Sequence, residues 1–267
     1  MASPQAFARR TVKRCAATLD RVRRPAPGVV ILIYHRVGRR SQTETDLPTP
    51  LFEEQMAFLA ASGRVITLDA GLRMMDVGPP GGPDPVVITF DDGTADFADC
   101  AMPILQRFGL PATLYLATDF VERNVSFEGD GRPLSWHAVR DVISTGAVTL
   151  GSHTHTHPRM DRLDREAAAR ELDESIALIE DRLGFHPEHF AYPYSVPMAG
   201  DADAVVRDRC TSAAVAGSRP NPYGRSDPYR LQRAPVQLSD GMTFFRRKAD
   251  GGMRLEDTVR EVLNAVR

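Results

Sequence analysis

Three cysteines in 267 residues, Cys15, Cys100 and Cys210, are odd in number and widely spaced. They exclude a fully paired disulfide framework and fit a reducing compartment, so an apolar core must carry the fold. No stretch approaches the roughly 20 apolar residues of a membrane-spanning helix. The segment from Ala6 to Val22 has no apolar centre of the kind a secretory signal needs, because Arg9, Arg10, Lys13 and Arg14 interrupt it. Internal repeats and charged low-complexity blocks are also missing. The net charge is only −2, and no basic patch interleaves with aromatic residues, which leaves nucleic-acid binding without support. These absences lead to the expectation of a cytoplasmic globular protein.

An apolar fraction of 42% can fill one sizeable core, and the length suits a single α/β domain. Charge is uneven along the chain. Arg9, Arg10, Lys13, Arg14, Arg21, Arg23 and Arg24 face a single acid, Asp20, within the first 24 residues. The reading is a basic arm over residues 1–28 followed by a catalytic domain over 29–267. Phe7, Cys15, Leu19 and Val22 make the arm amphipathic, so it can touch an anionic membrane peripherally, dock on the domain as a helix, or fray.

Apolar, β-branched runs at 29–34, 65–68, 86–90, 112–116, 147–150, 189–192 and 212–216 read as strands. Stretches at 51–62, 97–108, 136–144 and 165–183 read as helices. In the last, Leu172, Ile176 and Ile179 mark one packed face. Strands alternating with helices predict a parallel sheet in an α/β domain.

Two strings carry chemistry. Thr89-Phe90-Asp91-Asp92-Gly93 follows the run Val86-Val87-Ile88, and Ser152-His153-Thr154-His155-Thr156-His157-Pro158 follows Ala147–Leu150. An Asp-Asp-Gly alone is usually a turn, and clustered histidines alone can bind stray metal. Placed together after buried strands, where α/β folds gather functional groups, they read as a site. One carboxylate with His153 and His157, set on one face of a helical turn, makes a three-ligand metal centre with room for water. The second carboxylate is left to act as a base. His155 between them is expected to point away.

These strings resemble those of the polysaccharide deacetylase family (carbohydrate esterase family 4, the NodB-type deacetylases). Phe190-Ala191-Tyr192-Pro193-Tyr194-Ser195 resembles the family's third motif in part, and Ile33-Tyr34-His35-Arg36-Val37 and Tyr229-Arg230-Leu231-Gln232-Arg233 are similar to segments of one bacterial branch. The resemblance runs from about Val29 to Val236. It implies a distorted (β/α)7 barrel in a single domain. It also implies Asp92, His153 and His157 as ligands of a divalent metal, Zn²⁺ by the donor set, Asp91 as base, and the Tyr194 backbone N–H as oxyanion donor. The expected substrate is an N-acylated amino sugar, free, nucleotide-linked, lipid-linked or glycosidic.

The departures matter. Where the family has an arginine that orients the base, this chain has Ala191, and where it has glycine, Ser195. The family's late histidine is missing, since no histidine follows His189. Two replacements are expected: His35, at the end of the first strand, as proton donor, and Arg233, reaching Asp91 from the last strand region. Trp136 and Tyr192 are candidates for a sugar-stacking wall, with core packing the alternative for Trp136. Rival readings are a deacylase of another small-molecule or natural-product amide, a non-haem Fe(II) enzyme with two histidines and one carboxylate, and a glycan-binding module that has lost its acid.

Overall fold

A computed structural model describes residues 4–22, 25–79, 81–127, 129, 131–198 and 203–257, with side chains from residue 11 to 20 in the first of these segments. In chain order, α1 (Pro4–Val22) precedes β1 (Val30–Tyr34), the short β2 (Arg36–Val37) and β3 (Asp46–Leu47), α2 (Thr49–Ser62) and α3 (Leu68–Val77). Then come β4 (Val86–Phe90), a π-helical turn at Phe97–Ala101, α4 (Met102–Phe108), β5 (Ala112–Leu116), α5 (Thr118–Arg123) and α6 (Trp136–Ser144). The second half holds β6 (Val148–Ser152), α7 (Arg165–Leu183), β7 (His189–Ala191), α8 (Ala204–Arg207), β8 (Ser212–Ala216), β9 (Leu231–Pro235) and α9 (Gly241–Ala249).

β1, β4, β5, β6, β7, β8 and β9 close a parallel barrel in that order, sealed where Leu32 pairs with Ala234 and Ile33 with Pro235. The expected seven-stranded barrel is the observed one. Strand alternation sorts its side chains. Val30, Leu32, Val86, Ile88, Leu114 and Leu150 face outward into the large cluster under the helices. Ile31, Val87, Tyr115, Ala191, Ala214 and Leu231 form a separate inner cluster, closed at the strand beginnings by Leu68 and Met75 of α3. Both faces are buried, which is why β4 reads as an apolar run interrupted only by Thr89. A Cβ at Gly151 would meet the His189 carbonyl at 2.6 Å and the Tyr115 ring at 2.7 Å, so glycine there makes room for that ring.

Two strand expectations need correction. Residues 65–68 form no strand: Val65 makes a single bridge to Val86, and Thr67 then caps α3 by accepting from the Ala70 N–H. The barrel is closed by β9 instead, whose sequence Leu-Gln-Arg-Ala-Pro hides it. α7 has the expected bounds, set by the Asp164 carboxylate accepting the Ala167 N–H and by left-handed Gly184.

In α1, Lys13 is buried and pairs with Asp240 and, at 3.0 Å, with Glu256. Ala16 and Ala17 pack against Met253, and Asp20 accepts the Met253 N–H at 2.8 Å. The described part of the arm thus docks on the domain. The side chains of Arg9, Arg10, Arg21, Arg23 and Arg24 lie outside the described residues. Among the described residues no helix is long and apolar enough to cross a membrane.

Candidate active site

The barrel's strand ends converge on one cluster. Thr89 and Asp91 share the inward parity of β4, and Arg233 shares that of β9. Arg233 is fully buried and clasps Asp91 through two bonds, Nη1 to Oδ1 at 2.6 Å and Nη2 to Oδ2 at 2.8 Å. Nη1 also donates to Thr89 Oγ1 at 3.1 Å, and the guanidinium lies 5.0 Å from the Tyr115 ring centre. Burial raises the pKa of Asp91, but Arg233 and then His153 outweigh it and hold the carboxyl at about 2. The expected partnership of Arg233 with Asp91 is therefore present in the geometry.

Asp92 turns out of the strand through a left-handed φ of 74°. Gly93 follows at φ 92°, where a Cβ would stand 2.2 Å from Leu116 Cδ1. This kink separates the neighbouring carboxylates, one aimed at Arg233 and the other at the histidines. Asp92 Oδ1 lies 3.6 Å from His153 Nε2 and 3.5 Å from His157 Nε2. Those spacings are long for hydrogen bonds. They approximate the ~3.4 Å edge of a tetrahedron whose ligands sit at about 2.0–2.1 Å from a zinc ion. His153 Nδ1 is 2.8 Å from the Ala191 carbonyl, which fixes the proton on Nδ1 and leaves the Nε2 lone pair toward Asp92. Burial, then His153, pushes His157 down to about 4, so its ring is neutral near pH 7. Two imidazole nitrogens and an adjacent carboxylate oxygen suit a divalent cation.

The two histidines do not share a helical turn, contrary to the spacing argument. Residues 153–158 form an irregular loop beyond β6, with φ 68° at Thr154 and φ 60° at His157. The loop brings the rings to 4.8 Å centre to centre. His155 points away, its Nδ1 3.0 Å from Thr118 Oγ1. His35 follows β1 and lies close enough to Asp91 and His157 for its charge to act on both. Its Nδ1 is buried without a hydrogen-bond partner.

Tyr194 sits beside the cluster. Its ring is 5.0 Å from that of His157 and is 60% exposed, which leaves a face open to solvent. Tyr194 and Ser195 both adopt left-handed φ, 55° and 60°, a conformation glycine takes more easily. Tyr192 cannot form a stacking wall: it is buried, and its hydroxyl donates to Asp203 at 2.9 Å. Trp136 donates from Nε1 to Glu122 and packs against the outer core. Two contributors, Thr89 and Glu171, were not singled out from the sequence. The signal for each was a polar residue on a face that is otherwise packed.

A second group able to hold a metal, Asp69, Glu188 and His189, lies where the strands begin. There His189 Nε2 is 3.1 Å from Asp69 and Nδ1 is 3.0 Å from Ser212 Oγ, so both ring nitrogens are already engaged.

Residues 78–208 match the family model described as polysaccharide deacetylase. Over that stretch the chain belongs with the polysaccharide deacetylase family. It is 24% identical over 215 residues to YxkH of Bacillus subtilis, a protein named for that family, covering 80% of this chain and 72% of YxkH. It is 32% identical over 142 residues to the poly-beta-1,6-N-acetyl-D-glucosamine N-deacetylase of Escherichia coli K12, covering 49% of this chain but only 21% of that protein. Its fold is shared with IcaB from Ammonifex degensii (TM-score 0.72, 21% identity, 84% of this chain and 98% of that one). The same holds for the Streptococcus pyogenes deacetylase PplD solved with acetate (TM-score 0.72, 18% identity, 84% and 99%).

Proposed function

We propose that this family member is a divalent-metal hydrolase that removes an N-acyl group, acetyl by preference, from a glucosamine-type sugar. The observation that carries the proposal is the convergence of Asp92, His153 and His157 beside a second carboxylate that Arg233 keeps ionised. A zinc-type ion held by those three residues would supply Lewis acidity to the acyl oxygen and acidify a water molecule toward neutrality.

The chain's own groups have distinct tasks. Asp91, fixed by two bonds to Arg233, orients and takes the proton of the attacking water. The backbone N–H of Tyr194 meets the oxyanion that forms as the acyl carbon becomes tetrahedral. The Nδ1 of His35, just past β1, is buried without a hydrogen-bond partner, and an imidazole can carry a proton near neutral pH. It would give that proton to the leaving nitrogen, taking the part of the missing late histidine. The E. coli relative named for a poly-N-acetylglucosamine substrate supports the sugar class.

The test is acetate release from N-acetylglucosamine oligomers and from nucleotide- and lipid-linked N-acetyl sugars. Asp91→Asn should lower turnover by about 10²–10⁴ while the metal content stays at the parent's level. Release by the variant at the parent's rate would overturn the assignment of Asp91.

A further inference from the structure

The loop that carries both histidines does not hold itself. Thr154 and His157 are non-glycine residues at left-handed φ, a backbone that persists only where its surroundings over-determine it. Part of the restraint is internal: Thr154 Oγ1 accepts the His157 N–H at 3.0 Å, and Ser152 Oγ accepts the Thr154 N–H at 3.2 Å. One flank is held by the start of α5, where Thr118 N–H reaches the Thr154 carbonyl at 3.3 Å and Asp119 N–H the His155 carbonyl at 2.9 Å.

The other flank belongs to Glu171 of α7. Its Oε2 accepts the successive backbone N–H groups of His155, at 3.0 Å, and Thr156, at 2.8 Å, while Oε1 accepts the Thr156 hydroxyl at 2.6 Å. Successive N–H groups turned toward one anion form a concave donor pair, and hydrogen bonds to an ionised acceptor are among the strongest. The helix presenting Glu171 is itself anchored. Leu172 and Ile176 are buried beside it, and Ser175 Oγ meets Ser152 Oγ at 2.7 Å at the foot of the loop. Glu171 makes no recorded contact with Asp92 or with the rings of His153 and His157. It grips the two residues just before His157.

We infer that Glu171 is a positioning residue for the metal centre: it fixes the backbone between the two histidines so that both rings are set before an ion arrives. This rests on the metal-binding reading of Asp92, His153 and His157. Without Glu171 the peptides at 155 and 156 turn to solvent, and His157 loses its fixed distance from Asp92.

The test is chelator competition for Zn²⁺ at fixed pH, with the visible spectrum of the Co²⁺-loaded protein as a second readout. Glu171→Ala should bind Zn²⁺ about 10–100-fold more weakly, the range for partners that orient metal ligands, and its Co²⁺ bands should shift. Glu171→Gln keeps one oxygen for both N–H groups and should retain most of the parent's affinity. Glu171→Asp withdraws the carboxylate by one methylene and should fall between them, which serves if the alanine variant does not fold. Folded Glu171→Ala or Glu171→Asp binding Zn²⁺ as tightly as the parent, with unchanged Co²⁺ bands, would overturn this inference alone. A parent chain that binds no ion would overturn it together with the metal-centre reading.

Discussion

Replacing Arg233 with methionine should expose the energetic core of the site. The guanidinium is fully buried and makes two short bonds to Asp91, itself only 4% exposed. Methionine removes the charge but keeps a flexible apolar chain against Tyr115. Asp91 is then a buried carboxylate without its main partner, and breaking a buried pair from one side costs about 3–5 kcal/mol. The pH dependence fixes the cause. In the parent, Asp91 titrates at about 2, below its usual value. Its pairing therefore adds about 2 kcal/mol of stability above the unfolded pKa, lost as pH falls through about 2. In the variant, burial is opposed only by His153 and His35, so that pKa rises above the parent's, and the variant's penalty is greatest at neutral pH and shrinks once Asp91 is protonated. Urea unfolding of metal-free protein, followed by far-UV circular dichroism at pH 7 and pH 4, should show a gap that narrows markedly at the lower pH. Combining Asp91→Asn with Arg233→Met should recover at least half of the loss. A deficit under about 1 kcal/mol at pH 7, or an equal deficit at both pH values, would refute the reasoning.

Other parts of the account can be checked independently. Metal-free protein should lose about 3 kcal/mol of stability as pH falls from 6.5 to 4. The unfolded chain takes up a proton on His157 before the folded chain, where burial and then His153 hold it at about 4. The same urea series on His157→Gln should have a flatter slope, and an unchanged slope would show that another group is responsible. Lys13→Met should cost about 1.5–3 kcal/mol by removing a buried ammonium from Asp240 and Glu256. Thermal melts within experimental error of the parent would mean that α1 adds nothing to the fold. His35→Gln should slow turnover by about 10²-fold and remove one limb of the pH–rate profile, with metal content unchanged. A normal profile would return the leaving-group proton to Asp91.

Much of this was legible in the sequence because the relevant constraints are local. The run Val86–Phe90 is buried on both faces, and the carboxylates follow at its end whatever the rest of the barrel does. α7 carries its own cap and stop in Asp164 and Gly184. β9 was not among the strand runs read from the sequence because its inward position is an arginine, yet the expected reach of that arginine to Asp91 is present in the closed barrel. The segment 65–68 has strand-like residues but pairs only through Val65, since Thr67 is taken as a helix cap. His153 and His157 were recognisable by spacing, yet the helical reason failed: left-handed residues and Glu171 set the loop. Tyr192 was a candidate for the stacking wall, but it is buried just before the 3₁₀ turn Pro193–Ser195, in which Tyr194 is exposed. The charge of the basic arm likewise concealed that Lys13 has Asp240 and Glu256 waiting far along the chain.

The central claim is that three side chains from two strand ends hold one ion that the amide hydrolysis needs. Acetate release from an N-acetylated glucosamine oligomer, measured while chelated protein is titrated with Zn²⁺, tests it directly. The account predicts almost no release at the start, a steady rise, and a break at one equivalent per chain that disappears in His157→Ala. Release that is indifferent to chelation, or that rises as well in His157→Ala, would contradict it.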